Sequence, residues 1–151
     1  MDTEEKILQE YILYVQHKEN FVNRSFSANR FYLIAVLAVL FVTVPVKFLP
    51  FAFGIVFTML FSLIGILLCI LWYLNIDAYK NLLKIKLQNV IEKLEDSLPV
   101  KPYQMESAAL KEARDGKKKM IFGDMQKTLA IIIMVAFITV FLNETMLLFI
   151  M

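Results

Sequence analysis

The chain has 151 residues, 59% of them hydrophobic and 20% charged, with 16 Lys and Arg against 14 Asp and Glu. One domain's length at a mean hydropathy of +0.63 is too apolar for a soluble protein, so the excess is predicted to face lipid. The near-balance of charge excludes the broad basic field of a nucleic-acid binder, while one cysteine, Cys69, and one histidine, His17, exclude an intrachain disulfide and a Cys- or His-based metal cluster.

The N-terminus, MDTEEKILQE, is acidic and lacks the basic stretch and apolar core of a cleavable signal, so the first apolar segment is expected to be retained. Residues 1–30 are predicted to form a cytoplasmic amphipathic helix. Leu8, Tyr11, Val15, Lys18 and Val22 recur at intervals of three and four, which is the helical period. Asp2 or Thr3 caps it, and Glu4 and Glu5 favour its dipole. His17 reads as a solvated helix-face residue in preference to a pH sensor.

Residues 31–46 are uncharged and form transmembrane helix 1, borrowing their flanks to reach the ~20 residues a bilayer core needs. Pro45 and Pro50 bracket Lys47 in VPVKFLPF, and proline ends helices while lysine seeks the interface, so 47–53 is an external turn. Residues 54–74 are transmembrane helix 2, inside an uncharged run that extends from Phe48 to Ile76. Cys69 is a small packing residue there. Trp72 and Tyr73 are predicted interface anchors, the usual place for amphipathic rings.

No breaker follows, so 75–98 is predicted as a cytoplasmic helical extension of the same helix. Ile76, Tyr79, Leu83, Leu87, Val90 and Leu94 are spaced 3, 4, 4, 3 and 4, a helix with one apolar seam. Pro99 stops it. Glu92, Glu95 and Asp96, beside Lys93, read as a solvated face and not as acid chemistry. Residues 99–127 are a cytoplasmic linker and interfacial segment: Ser107 to Arg114 favour helix, Gly116 ends it, and Met120, Ile121 and Phe122 dip into lipid. Lys117, Lys118 and Lys119 are a membrane-interface anchor. An anionic ligand, such as a nucleotide or phosphoinositide-like headgroup, is the weaker reading, because no glycine-rich phosphate loop accompanies them.

Residues 128–151 are transmembrane helix 3, with Glu144 expected near the far interface in preference to a protein interior. Thr43, Thr58, Ser62, Asn75 and Thr139 are expected to bond to their own helix backbone or a neighbouring helix, with pore lining the weaker reading. Lys and Arg concentrate before residue 31 and between Lys80 and Lys127. The positive-inside rule therefore places the N-terminus and 75–127 in the cytoplasm and the C-terminus outside. The fold class is all-α and integral to the membrane: a helical hairpin with long cytoplasmic extensions plus a third, C-terminal transmembrane helix. Two slim helices cannot bury a stripe on both sides, so Tyr11, Val15, Ile76, Tyr79, Leu83, Leu87, Val90 and Leu94 are predicted as an oligomer seam shared between copies.

The order Arg24, Ala28-Asn29, Trp72-Tyr73, Ile76, Tyr79, Leu82, Lys86, Glu92, Leu98-Pro99 and Pro102-Tyr103 resembles the RipA family of small octameric bacterial inner-membrane proteins, over roughly residues 11–103. It departs from that pattern after Tyr103, where Gln104-Met105-Glu106-Ser107 replaces an acidic residue followed by tryptophan. The resemblance implies a cytoplasmic-membrane oligomer tied to stress or host adaptation, with no enzymatic role.

The expected function is a homo-oligomeric membrane scaffold or signalling assembly. The alternative is a membrane-perturbing effector or gated pore, for instance in antiphage defence. An enzyme is not expected, since only Glu144 is an ionisable residue at membrane depth, and no cofactor is. The expected partners are the lipid bilayer and further copies of the chain, with a cytoplasmic protein or anionic ligand as a further class and no nucleic acid.

Overall fold

A computed structural model describes residues 3–113 and 122–150. The elements are α1 (Thr3–Val46), α2 (Phe51–Ile85), a π-helical segment (Lys86–Ile91), α3 (Glu92–Glu95), α4 (Pro102–Ala113) and α5 (Phe122–Ile150); no strand occurs among the described residues. The chain divides into two compact units, a polar one from residues 3–26 and 78–113 and an apolar one from residues 27–77 and 122–150.

The apolar unit is a three-helix bundle. Its helices α1, α2 and α5 are long and apolar enough to cross a membrane, and large apolar side chains cover the outside of each. Between α1 and α2 the chain turns over residues 47–50. Carbonyls of Val44, Pro45 and Val46 accept from the amides of Lys47, Phe48 and Leu49, which tightens the end of α1. The second helix starts at Phe51, earlier than the expected residue 54, because Pro50 has no amide to satisfy and its carbonyl accepts from Gly54 N–H at 3.0 Å. Val36, Cys69, Trp72, Ile76, Ala130 and Phe137 form the core.

Gly65 sets how closely α5 approaches α2. A Cβ added there would lie 2.5 Å from the Phe137 ring, so the ring packs directly on the glycine backbone, as small residues at membrane helix contacts allow. Alanine is favoured over glycine in a helix by about 1 kcal/mol, but overpacking a tight contact costs about 1–3 kcal/mol. Gly65→Ala is therefore expected to lower the melting midpoint of the detergent-solubilised particle, and Phe137→Leu to restore it. An unchanged or raised midpoint in the single variant would contradict the close packing.

In the polar unit the N-terminal part of α1 lies against the end of α2 and its continuation. Phe21 and Tyr79 rings stand 4.9 Å apart, and Lys86 Nζ lies 4.7 Å from the Phe21 ring centre. The helix does not break at Ile85 but widens into the π-helical segment Lys86–Ile91. A π-turn inserts one residue into the α-helical register. The predicted seam at Val90 and Leu94 therefore shifts by one: Ile91 and Glu95 are buried, and Val90 and Leu94 are half-buried.

Residues expected as linker hold a helix, α4. Its N-terminus is pre-set by Pro102, and the Lys101 carbonyl accepts from Met105 N–H at 3.0 Å. Lys117, Lys118 and Lys119 lie outside the described residues, as do Met120, Ile121 and the side chains of Phe122 and Leu87.

Candidate functional site: a carboxylate clasp and two polar ties

Glu95 organises the polar unit. It is wholly buried, and three donors converge on its carboxylate. Oε1 accepts from Tyr11 O–H at 2.9 Å and from Tyr103 N–H at 2.6 Å, and Oε2 accepts from Gln104 N–H at 3.0 Å. The two amides belong to the first turn of α4, which have no partner within the helix, and a carboxylate there also meets the positive end of the helix dipole. One side chain thus joins α1, α3 and α4.

The expectation that Glu95 belongs to a solvated face is corrected: the π-turn rotates it inward, and α4 supplies the donors that a buried charge requires. Its neighbour Asp96 does remain on the surface. There Lys101 Nζ at 2.7 Å and Gln104 Nε2 at 3.1 Å hold its carboxyl below the usual range. Burial first, then the carboxylates of Glu92, Glu106 and Glu95, push the Tyr103 phenol up, while Lys18 Nζ lies 5.5 Å from its ring centre. Its two oxygens together accept three hydrogen bonds, and the Glu95 carboxylate acts as a structural clasp.

The apolar unit is tied at both ends. At one end Trp72 Nε1–H donates to Asn29 Oδ1 at 3.0 Å, and Asn29 Nδ2–H donates to Gln126 Oε1 at 2.9 Å, a chain through α2, α1 and α5. Beside it Lys127 pairs with Asp77 and sits over the Tyr73 ring, 4.8 Å from its centre. At the hairpin end Lys47 Nζ meets Glu144 Oε1 at 2.8 Å. The middle of the bundle is apolar apart from hydroxyls. Thr43 and Thr139 donate to their own helices, at Val39 O and Val135 O, whereas Thr58 and Ser62 hydroxyls and the Asn75 amide are buried without a protein partner.

The predicted site residues separate into two sets. Tyr11, Val15, Tyr79, Leu83, Val90 and Leu94 lie in the polar unit, where Tyr11 reaches Glu95 and Tyr79 reaches Phe21. Tyr11 and Tyr79 thus have partners within the chain itself. Ile76 belongs to the core of the apolar unit. Leu8, Ile12 and Leu13 on α1 and Leu82 and Ile85 on α2 are among the large apolar side chains left exposed in this unit.

Of the two interface rings, Tyr73 is partly exposed, but Trp72 is 1% exposed; the anchor expectation is corrected for Trp72, whose N–H is spent on Asn29. Glu144 stands level with the hairpin turn yet inside the bundle. Among the described residues no group of three His, Cys, Asp or Glu side chains gathers as a metal site.

The model of the Octameric membrane protein family (8xMP) matches residues 8–146 of the chain. The chain belongs to that family. As an octameric membrane protein it is a membrane-associated homo-oligomer. The match takes in the clasp at Tyr11, Glu95, Tyr103 and Gln104, and both ties of the apolar unit. No curated protein and no solved structure matches the chain.

Sequence reasoning missed Glu95 and Asn29. A signal for Asn29 existed, since a tryptophan in an apolar span needs an acceptor for its N–H. None existed for Glu95.

Proposed function

We propose that this octameric membrane protein is a scaffold or signalling assembly of the bacterial inner membrane, acting in stress or host adaptation and without catalysis. Its N-terminus and residues 75–127 are cytoplasmic and its C-terminus is outside, following the concentration of Lys and Arg in those two segments. The observation that carries the reading is the clasp. A buried carboxylate fixes α1, α3 and α4 into one polar body, while Leu8, Ile12, Leu82 and Ile85 stay exposed on it. A fixed body with uncovered apolar positions suits docking of proteins, sister chains included.

The pore or effector reading draws support from Thr58, Ser62 and Asn75, whose polar atoms are buried without protein partners. Purified protein in dye-loaded liposomes separates the two. The scaffold reading expects correctly inserted oligomer to leave the dye trapped, with and without added nucleotides. Release on the scale of the whole vesicle population would sink it in favour of a pore.

A further inference from the structure

At the hairpin end of the apolar unit the backbone itself supplies oxygens. The carbonyls of Val46 and Leu49 stand 3.3 Å, and that of Lys47 3.7 Å, from where a Cβ on Gly54 would be. Glycine keeps that space open. Below it lies a cavity of about 340 Å³ lined by Lys47, Gly54, Ile55, Thr58, Glu144 and Leu147 among others.

Two opposite charges enter this cavity. The Glu144 side chain is 5% exposed and the Lys47 side chain 47%, so the anion is fixed inside and the cation is at the mouth. Thr58 belongs to the same cavity lining and is wholly buried, and its hydroxyl has no protein partner. Buried hydroxyls are almost always hydrogen-bonded, so this one points to a polar occupant.

The charges select the occupant's chemistry. A simple cation competes with Lys47 for Glu144, and a simple anion is drawn to Lys47 only to face Glu144. A molecule that carries both signs leaves neither side chain unpaired. The buried carboxylate calls for N–H donors and charge-assisted hydrogen bonds, which a primary ammonium provides and a trimethylated one does not. The surroundings indicate a lipid. Phe41, Phe48, Phe149 and Ile150, exposed at 80%, 87%, 85% and 82%, crowd this end of the bundle and present a surface for acyl chains.

We propose that this cavity holds a zwitterionic headgroup, with its primary ammonium on Glu144 and its phosphate on Lys47 and the Thr58 hydroxyl, as in phosphatidylethanolamine. The site is the same whichever side of the membrane the hairpin faces, and it stands or falls apart from the scaffold reading.

The test uses the purified, delipidated oligomer, with phosphatidylethanolamine, phosphatidylcholine, phosphatidylglycerol and soluble phosphoethanolamine added separately. Bound lipid is counted by native mass spectrometry. Phosphatidylethanolamine is expected to be retained roughly tenfold better than the other two lipids, the discrimination that charge-assisted hydrogen bonds to one buried carboxylate supply. Soluble phosphoethanolamine is expected to displace it at high concentration, which marks the headgroup as the recognised part. Displacement by an equal concentration of inorganic phosphate would mark a phosphate site and overturn the proposal.

Glu144→Gln is expected to abolish the preference, and Thr58→Val, nearly the same shape, to weaken retention severalfold. If Glu144→Gln does not assemble, Thr58→Val and Lys47→Met decide. Wild-type retention in both overturns the proposal, as does equal retention of all three lipids by the wild type.

Discussion

Replacing Glu95 by alanine is expected to release α4 while leaving the apolar unit intact. The substitution removes the acceptor for Tyr103 N–H, Gln104 N–H and Tyr11 O–H at once. Loss of a helix N-terminal acceptor costs about 0.5–2 kcal/mol, and a part-buried donor left without a partner costs about 1–3 kcal/mol more. The total is on the order of 3 kcal/mol, far above the few tenths that alanine gains in helix propensity. Amide exchange over Pro102–Ala113 should therefore accelerate by about two orders of magnitude, since local opening free energy sets exchange. Exchange within α5 should stay at the wild-type rate, because every group in the clasp belongs to the polar unit. Glu95→Gln should fall between: its carbonyl still accepts from Tyr103 or Tyr11, but its amide turns a donor toward Gln104 N–H. Wild-type exchange at the Tyr103 and Gln104 amides in Glu95→Ala would remove the clasp from the account.

The burial of Glu95 also marks where the sequence stops being readable. Run lengths alone locate three membrane-length helices, because the need for about 20 apolar residues is set by the bilayer. Prolines alone locate the hairpin, though Pro50 begins α2 where a longer turn was expected. The absence of proline and glycine from Leu68 to Gln88 leads to an α2 that continues past Trp72, and α2 does continue. Beyond Ile85 a fixed helical period was the only guide, and the π-helical segment changes that period by one residue. Nothing in KLQNVI announces it. Counting at α-helical spacing then puts Leu94 on the inner face, while the extra residue brings Glu95 there. The burial of Glu144 was not legible, since its partner Lys47 lies 97 positions earlier in the chain. The Gly65 contact with Phe137 was unmarked for the same reason: a glycine in a span shows that something can come close, not what does.

Trp72→Ala is expected to be the most damaging substitution in the apolar unit, and Trp72→Phe a mild one. Lipid is as apolar as the bundle interior, so helix association there rests on packing and interhelical hydrogen bonds and not on removal from water. Trp72 supplies both. It fills the core between Val36, Cys69, Ile76, Ala130 and Phe137, and its N–H begins the chain through Asn29 to Gln126 that spans all three helices. Phenylalanine keeps most of the volume and loses only the donor, a change worth about 0.6–2 kcal/mol between membrane helices. Alanine also leaves a cavity, and large-to-small changes of this kind cost about 3–5 kcal/mol in well-packed interiors. The melting midpoint of the solubilised particle should fall in the order wild type, Trp72→Phe, Trp72→Ala; equal falls in the two variants would mean that the hydrogen-bonded tie outweighs the packing. As the only tryptophan in the chain, Trp72 also reports its own position. Brominated lipids, which quench a ring facing the bilayer, should quench it weakly in the wild type. Asn29→Leu removes the acceptor that holds the indole inward, so quenching should rise; strong quenching already in the wild type would place the ring in the lipid belt and discard the tie.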